Sequence, residues 1–142
     1  MATFYSAEAT NYLNTVPAVM ENGAYVGGQL RRFRATVTMA AQTTSDTIVL
    51  AKIPRSHVFA YGVLTTSATL GTSTIAIGIT GTTGKYRAAA TFTATDTPTM
   101  FGIATVAGGS VLSSEETVFI TIGTATLPGS GTLVVDLYFS GT

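Results

Sequence analysis

Apolar and polar residues alternate along most of the chain, as they do in β-strands that bury one face. The clearest such stretch covers residues 57–79, where the pattern predicts two strands joined by a turn at residues 67–72. In the first strand Phe59, Tyr61 and Val63 share a predicted face, and in the second every other residue is isoleucine. We expect these two apolar faces to form the centre of the core.

The opposite face of this predicted hairpin carries only small side chains. Its members are Ala60, Gly62, Thr74, Ala76 and Gly78. A face without large side chains allows another sheet or another subunit to approach closely, so we interpret the hairpin as the scaffold of the domain.

Six further segments show a strand-like pattern and are separated by glycine, proline or polar turns. They are residues 30–39, 47–53, 85–94, 99–106, 117–123 and 132–140. Residues 47–53 are apolar on both faces, which predicts a central strand covered on both sides. About eight strands at intervals of about ten residues predict an all-β fold: an antiparallel sandwich or barrel, with a jelly roll as one arrangement.

Residues 1–29 lack the alternation and predict an N-terminal arm in front of a β-domain at residues 30–142. Residues 6–20 suit one short helix with Ser6 as its N-cap, although Pro17 would disturb it. If the arm buried about 1,000 Å² of apolar surface, the gross hydrophobic free energy gained would be about 25 kcal/mol. The entropy cost of ordering the arm would offset much of this gain. Whether the arm packs on its own domain or on a neighbouring subunit stays open.

The chain is unusually poor in charge. Charged residues make up 10% of it, against about 25% in ordinary soluble domains. Threonine, which suits a pleated surface, accounts for 28 of the 142 residues, and the formal net charge is zero. Either this hydroxyl-rich surface keeps a monomer soluble, or other subunits cover much of it.

Several kinds of chemistry have no support in the sequence. There is no cysteine, His57 is the one histidine, and GITGTTGK at residues 78–85 lacks the first glycine and the Ser or Thr of a phosphate loop. No apolar run reaches transmembrane length, and the N-terminus does not resemble a secretion signal. We therefore expect no enzyme, no cofactor, no metal site and no membrane partner.

Arginines form the one cluster of like charge. Arg32 and Arg34 should share a strand face, whereas Arg31 should point the other way. Nucleic-acid binding would favour more basic groups on one side, so we expect no nucleic-acid partner. The alternatives are a salt bridge to acids of a neighbouring subunit and a pair of side chains that lies along the surface, and we favour subunit contact over nucleic acid. Asp136, on the outer face of the last strand, is predicted to be a solvated or edge-protecting charge.

Four segments resemble small virion structural proteins of tailed bacteriophages. They are residues 50–54 (LAKIP), 63–71 (VLTTSATLG), 75–78 (IAIG) and 85–90 (KYRAAA), within a third of the chain. The resemblance implies a decoration or cement protein: a β-sandwich, often trimeric, that binds the major capsid protein and anchors itself with a terminal arm. It further implies synthesis in the host cytoplasm and a place on the capsid surface.

The leading hypothesis is therefore a structural protein that decorates and stabilises the outside of a phage capsid by bridging neighbouring capsid subunits. Candidate subunit-contact residues are Phe4, Tyr5, Tyr12, Leu13, Tyr25, Arg32 and Arg34. One alternative is a head–tail joining or tail-tube protein. Another is a carbohydrate-binding sandwich, which would need a row of exposed aromatic residues. Tryptophan is absent, and Tyr61, Tyr86 and Tyr138 stand singly in the sequence.

Overall fold

The structure is a computed structural model that describes residues 2–141, without the side chain of Tyr12. Eight strands form two four-stranded antiparallel sheets, which confirms the predicted all-β sandwich of eight strands. The elements are α1 (Ala7–Leu13), β1 (Gln29–Thr38), β2 (Thr47–Ile53), β3 (His57–Thr66), β4 (Thr74–Ile79), β5 (Thr82–Thr91), β6 (Thr99–Phe101), α2 (Ala104–Ala107), β7 (Glu116–Gly123) and β8 (Thr132–Gly141). Sheet A has the order β1-β8-β3-β6, and sheet B has the order β2-β7-β4-β5.

The strand pairing is that of a hairpin rolled up on itself. β1 pairs with β8, β2 with β7, β3 with β6, and β4 with β5, so each strand meets its counterpart from the other half of the chain. Rolling adds the contacts β3–β8 and β4–β7, which complete the two sheets. Eight strands in two sheets with this nested pairing are a jelly roll, one of the predicted arrangements.

The core lies between the two sheets and follows the predicted alternation most closely in β8. Leu133, Val135, Leu137 and Phe139 are each 0% exposed. From sheet B, alternating residues of β7 and the isoleucines of β4 meet them across the core. Aromatic rings fill one end, where Phe139 packs edge-to-face against the other rings of the cluster. Those rings are Phe33, Phe59 and Tyr86.

The prediction that residues 57–79 form a hairpin is wrong. β3 belongs to sheet A and β4 to sheet B, and the residues between them cross from one sheet to the other. Phe59 and Ile75 therefore enter the core from opposite sheets instead of lying on one sheet. The turn around Pro128 likewise carries the chain from β7 in sheet B to β8 in sheet A. A short glycine-containing link suits both arrangements, so local sequence did not distinguish them.

A β-bulge changes which residues of β3 are buried. Phe59 pairs with Phe139, but Tyr61 pairs with Tyr138, so Ala60 is an extra residue in the ladder. Such a bulge reverses the alternation beyond it. Phe59 faces the core, whereas Tyr61 and Val63, which were predicted to share its face, lie on the outer surface of sheet A.

Three further predictions of local structure are wrong. β2 is an edge strand of sheet B rather than a covered central one, and its Val49 is 65% exposed. Residues 99–106 form the short strand β6 followed by α2 instead of one strand. The alternation in residues 85–94 predicts one shared face for Tyr86, Ala88, Ala90 and Phe92. Ala88 and Ala90 are instead exposed and do not share the buried face of Tyr86, because the register of β5 against β4 is shifted.

The small side chains of the predicted hairpin do permit close approach, but from within the same chain. Gly62 faces the ring of Phe101 from β6, and a Cβ atom on Gly62 would lie 2.2 Å from Phe101 Cζ. Gly78 is approached by the backbone, since a Cβ there would lie 2.2 Å from the carbonyl oxygen of Thr82. These glycines are therefore packing positions and not a docking surface for another subunit.

We expect Gly62→Ala to destabilise the protein by about 1–3 kcal/mol, because the added methyl group must displace the Phe101 ring. Chemical denaturation monitored by circular dichroism measures the decrease in the free energy of unfolding. Gly129→Ala is the matched control, because no atom lies within 4 Å of a Cβ at that site. The double variant Gly62→Ala/Phe101→Ala should lose less than the sum of the single variants. Simple additivity would contradict the contact.

Candidate interaction surfaces

The N-terminal arm, residues 2–28, contains one short helix. α1 begins after Ser6, whose side-chain oxygen accepts a hydrogen bond from Ala9 N at 3.1 Å, as predicted for an N-cap. The helix ends at Leu13, well before the predicted end at residue 20. Beyond it the chain turns back, and Val19 N donates to Asn11 O at 2.9 Å.

The arm is attached to the sandwich through its last part. Ala24 is 1% exposed, and its carbonyl oxygen accepts a hydrogen bond from the Ser140 hydroxyl on β8. Tyr25 donates its hydroxyl proton to Gly109 O at 2.7 Å. Within the described residues, no hydrogen bond or ion pair connects residues 2–21 to the sandwich. The polar contacts of this outer part are internal to the arm.

Apolar side chains of the arm are largely uncovered. Of the eleven large hydrophobic residues that are exposed within residues 2–141, eight belong to the arm. They are Phe4, Tyr5, Leu13, Val16, Val19, Met20, Tyr25 and Val26. Phe4 is 91% exposed and Val16 97%. An apolar cluster of this kind typically marks an interaction site.

The predicted contact residues of the arm fit this picture as far as they are described. Phe4, Tyr5, Leu13 and Tyr25 are exposed, whereas the side chain of Tyr12 lies outside the described part of the chain. Their contact with another subunit stays a prediction. Val16 and Met20 were not among the candidates, although their apolar character within the predicted arm was a usable signal.

The second surface is the outer face of sheet A. Its members are Arg32, Arg34, Tyr61, Val63, Met100, Val134, Asp136 and Tyr138. The rings of Tyr61 and Tyr138 stack with their centroids 4.6 Å apart and their planes at 19°. Arg32 lies opposite Tyr138 in the β1–β8 ladder. The two tyrosines are therefore paired, not single as they stand in the sequence.

Sequence reasoning missed most of this surface. The bulge at Ala60, which brings Tyr61 and Val63 outward, has no signature in the local sequence. The alternation along the last strand indicated that Val134, Asp136 and Tyr138 share an outward face. The side chains of other strands that lie beside them depend on the strand order, which the sequence does not give.

An ion pair lies in the middle of this face. Arg34 donates from Nε and Nη2 to the two carboxylate oxygens of Asp136, both at 2.7 Å. The hydrogen bond and the nearby positive charge lower the pKa of Asp136, although desolvation opposes them. Asp136 is only 6% exposed and sits in the interior strand β8, so it is not the solvated or edge-protecting charge that was predicted.

Arg34 thus has its ionic partner in its own chain, whereas an acid of a neighbouring subunit was one of the alternatives that the sequence left open. Arg32 has no hydrogen-bonded or ion-paired partner among the residues described. That these two arginines contact a neighbouring subunit stays a prediction.

A polar cluster at the edge of the core joins β5 to the start of β7. Tyr86 donates its hydroxyl proton to Glu116 Oε2 at 2.6 Å, and Lys85 forms an ion pair with the same carboxylate. Burial, and then the bond to Glu116, raise the pKa of Tyr86. A cavity of about 210 Å³ adjoins Lys85 and Tyr86 and is otherwise lined mainly by the segment that contains α2. The carboxylate is satisfied by its own chain, so this cluster is structural.

The remaining chemical candidates occupy structural positions. His57 begins β3 and is 5% exposed, with Nδ1 3.1 Å from Arg55 O, so it is not a loop residue at a strand edge. Residues 78–85 cover the end of β4, a two-residue turn and the start of β5, and they do not lead into a helix. Across residues 2–141, no group of three His, Asp or Glu side chains is arranged to hold a metal ion. None of the helices described is long and apolar enough to cross a membrane.

Solved structures with a similar fold include chains from three phage capsids. A chain of the cyanophage Pam1 capsid asymmetric unit aligns over 100% of both chains with a TM-score of 0.70 and 17% identity. A chain of the capsid of Ralstonia phage GP4 aligns over 81% of this chain and 84% of that chain, with a TM-score of 0.60 and 18% identity. For the acidic stable capsid of Helicobacter pylori bacteriophage KHP30 the shares are 78% and 86%, the TM-score 0.58 and the identity 11%.

No protein-family model and no curated protein matches the sequence. The likeness to the capsid chains is therefore one of fold. It extends over the whole chain in the cyanophage case, including the region of the arm. The chain is a jelly-roll sandwich with an N-terminal arm, of the fold that these capsid structures contain.

We expect the Arg34–Asp136 pair to make stability depend on pH in the acid range. The folded-state pKa of Asp136 is lowered, so its contribution is present above the unfolded pKa, about 3.9, and is lost as pH falls through the lower folded value. Asp136→Asn should flatten the decline of the unfolding free energy below about pH 4. Urea denaturation across this pH range, with Asp96→Asn as an exposed control, measures the difference. An unchanged slope in Asp136→Asn would contradict the role of the pair.

Proposed function

We propose that this protein is a structural component of a phage virion that decorates the outside of the capsid. It stabilises the shell by bridging neighbouring capsid subunits. The observation that carries the proposal is the arm, whose outer part exposes a row of apolar side chains and makes no polar contact with its own sandwich among the residues described. Such a segment gains stability only when another molecule covers it.

The fold likeness supports a place in the virion. Chains with this fold occur in three phage capsid structures, and one of them matches from end to end. Jelly rolls also occur in lectins and cupins, so the fold by itself does not decide the function. The likeness gains weight because it coincides with the exposed arm and with the sequence resemblance to phage virion proteins.

The surface composition suits repeated contacts between subunits. Charged residues are 10% of the chain, so few ions must be desolvated when surfaces meet. A standard interface buries about 800 Å² from each partner, an area that an arm of this size can supply. We propose the major capsid protein as one partner and further copies of this chain as the other, in a trimer on the capsid surface.

A head–tail joining or tail-tube role would also place the protein in the virion. The position of the protein in the particle distinguishes such a role from decoration of the capsid. Cryo-electron microscopy of the phage should find the protein over the whole shell if it is a decoration protein, and at one vertex or along the tail if it is not. An enzymatic role is not part of the proposal, because the carboxylates of Asp136 and Glu116 are each paired with side chains of the same chain.

Deleting residues 2–21 should leave a folded sandwich that no longer attaches to capsids. The deletion retains the contacts of Ala24 and Tyr25 with the sandwich, so we expect little change in unfolding temperature. Capsids of the phage that encodes the protein, prepared without it, are mixed with each variant and sedimented. The full chain should sediment with them, and the deleted chain should stay in solution.

Val49→Ser is the matched control for this experiment, because Val49 is an exposed apolar residue of the sandwich itself. This variant should attach like the full chain. Attachment of the deleted chain at full strength would contradict a role for the arm. Failure of the full chain to bind capsids would contradict the decoration function.

A further inference from the structure

We propose that the arm of one copy docks on the outer face of sheet A of a second copy. Glu8 of the first copy then pairs with Arg32 of the second, and apolar residues of the arm cover the Tyr61–Tyr138 stack. This contact rests on the proposed function only in that the arm binds another subunit. It identifies that subunit as a further copy of the same chain.

The charges of the two surfaces are complementary. The first 30 residues contain two acids, Glu8 and Glu21, and no lysine or arginine. The Glu21 carboxylate accepts a hydrogen bond from the Asn11 amide inside the arm, whereas Glu8 is exposed and has no partner in the described structure. Glu8 is therefore the charge that the arm offers to another molecule.

Arg32 is the matching charge on the outer face of sheet A. The other two ions of that face, Arg34 and Asp136, satisfy each other through two hydrogen bonds of 2.7 Å. Arg32 is exposed, and it has no ionic partner within residues 2–141. The face therefore presents one uncompensated positive charge beside its aromatic stack. Opposite charges on two surfaces favour their encounter and set their register.

The apolar parts of the two surfaces also match in kind. The Tyr61–Tyr138 stack is flanked by Val63 on the same strand as Tyr61, and by Met100 of β6, which is 67% exposed. Tyrosine, methionine and arginine are the residues enriched in interface centres. The arm supplies Phe4, in front of the helix that carries Glu8.

The geometry favours a second copy over the arm's own sandwich. Residues 22–26 form a turn in which Asn22 O accepts hydrogen bonds from Tyr25 N and Val26 N, and the contacts of Ala24 and Tyr25 fix this turn to the end of the sandwich. Beyond it, the outer arm is closed on itself and leaves its apolar side chains exposed. A contact between two different surfaces can repeat from copy to copy, and it forms a ring such as a trimer when the rotation between copies closes.

Charge exchange tests the contact in the full-length chain, without capsids. Size-exclusion chromatography with light scattering, over a range of protein concentrations, should show an oligomer for the natural sequence. Arg32→Glu and Glu8→Arg should each weaken association at least about tenfold, because each places like charges together. The double variant E8R/R32E should restore association, since it re-forms the pair with the charges reversed.

Arg55→Glu is the control, because it makes the same change of charge in the exposed loop between β2 and β3. It should associate normally, and thermal unfolding should show that all variants are folded. A monomeric natural chain, no rescue by the double variant, or equal weakening by Arg55→Glu would overturn the proposal. Capsid attachment is measured separately, so a chain that associates through Glu8 and Arg32 but ignores capsids would refute only the decoration function.

Discussion

The strand β8 pairs with both β1 and β3, and this double pairing positions both faces of sheet A. β8 lies inside sheet A, and its inward residues, from Leu133 to Phe139, are completely buried. Successive residues of a strand point to opposite faces, so the residues of β8 that alternate with the buried ones must point outward. The same strand therefore sets the core on one face and the Asp136–Tyr138 surface on the other.

The surface of sheet A and the arm differ in how their polar groups are satisfied. Asp136 is held by Arg34 across the β1–β8 ladder, which allows a carboxylate to be almost fully buried. The outer arm forms its own hydrogen bonds, but it has too few residues to bury its apolar side chains against each other. The sandwich is complete as a folded unit, whereas the arm gains its missing contacts from another molecule in the function that we propose.

Much of the fold could be predicted because strand alternation is a local property. The inward residues of β7 and β8 and the N-cap at Ser6 are each specified by a few neighbouring residues. The candidate site was predicted less well. Arg34 was recognised as an outward residue, but its partner Asp136 is 102 positions away in the sequence. No local pattern indicates that these two positions are adjacent.

Period-two alternation and turn residues act over short distances, so an all-β sandwich with an N-terminal arm could be inferred from the residues alone. The tertiary structure was needed to assign the strands to sheets, and it showed that β3 and β4 lie on opposite sides of the core. It also decided the bulge at Ala60, because a bulge arises from pairing with a partner strand and not from the strand's own sequence. That one extra residue turns Tyr61 out of the core and onto Tyr138, where the outer surface of sheet A acquires its aromatic stack.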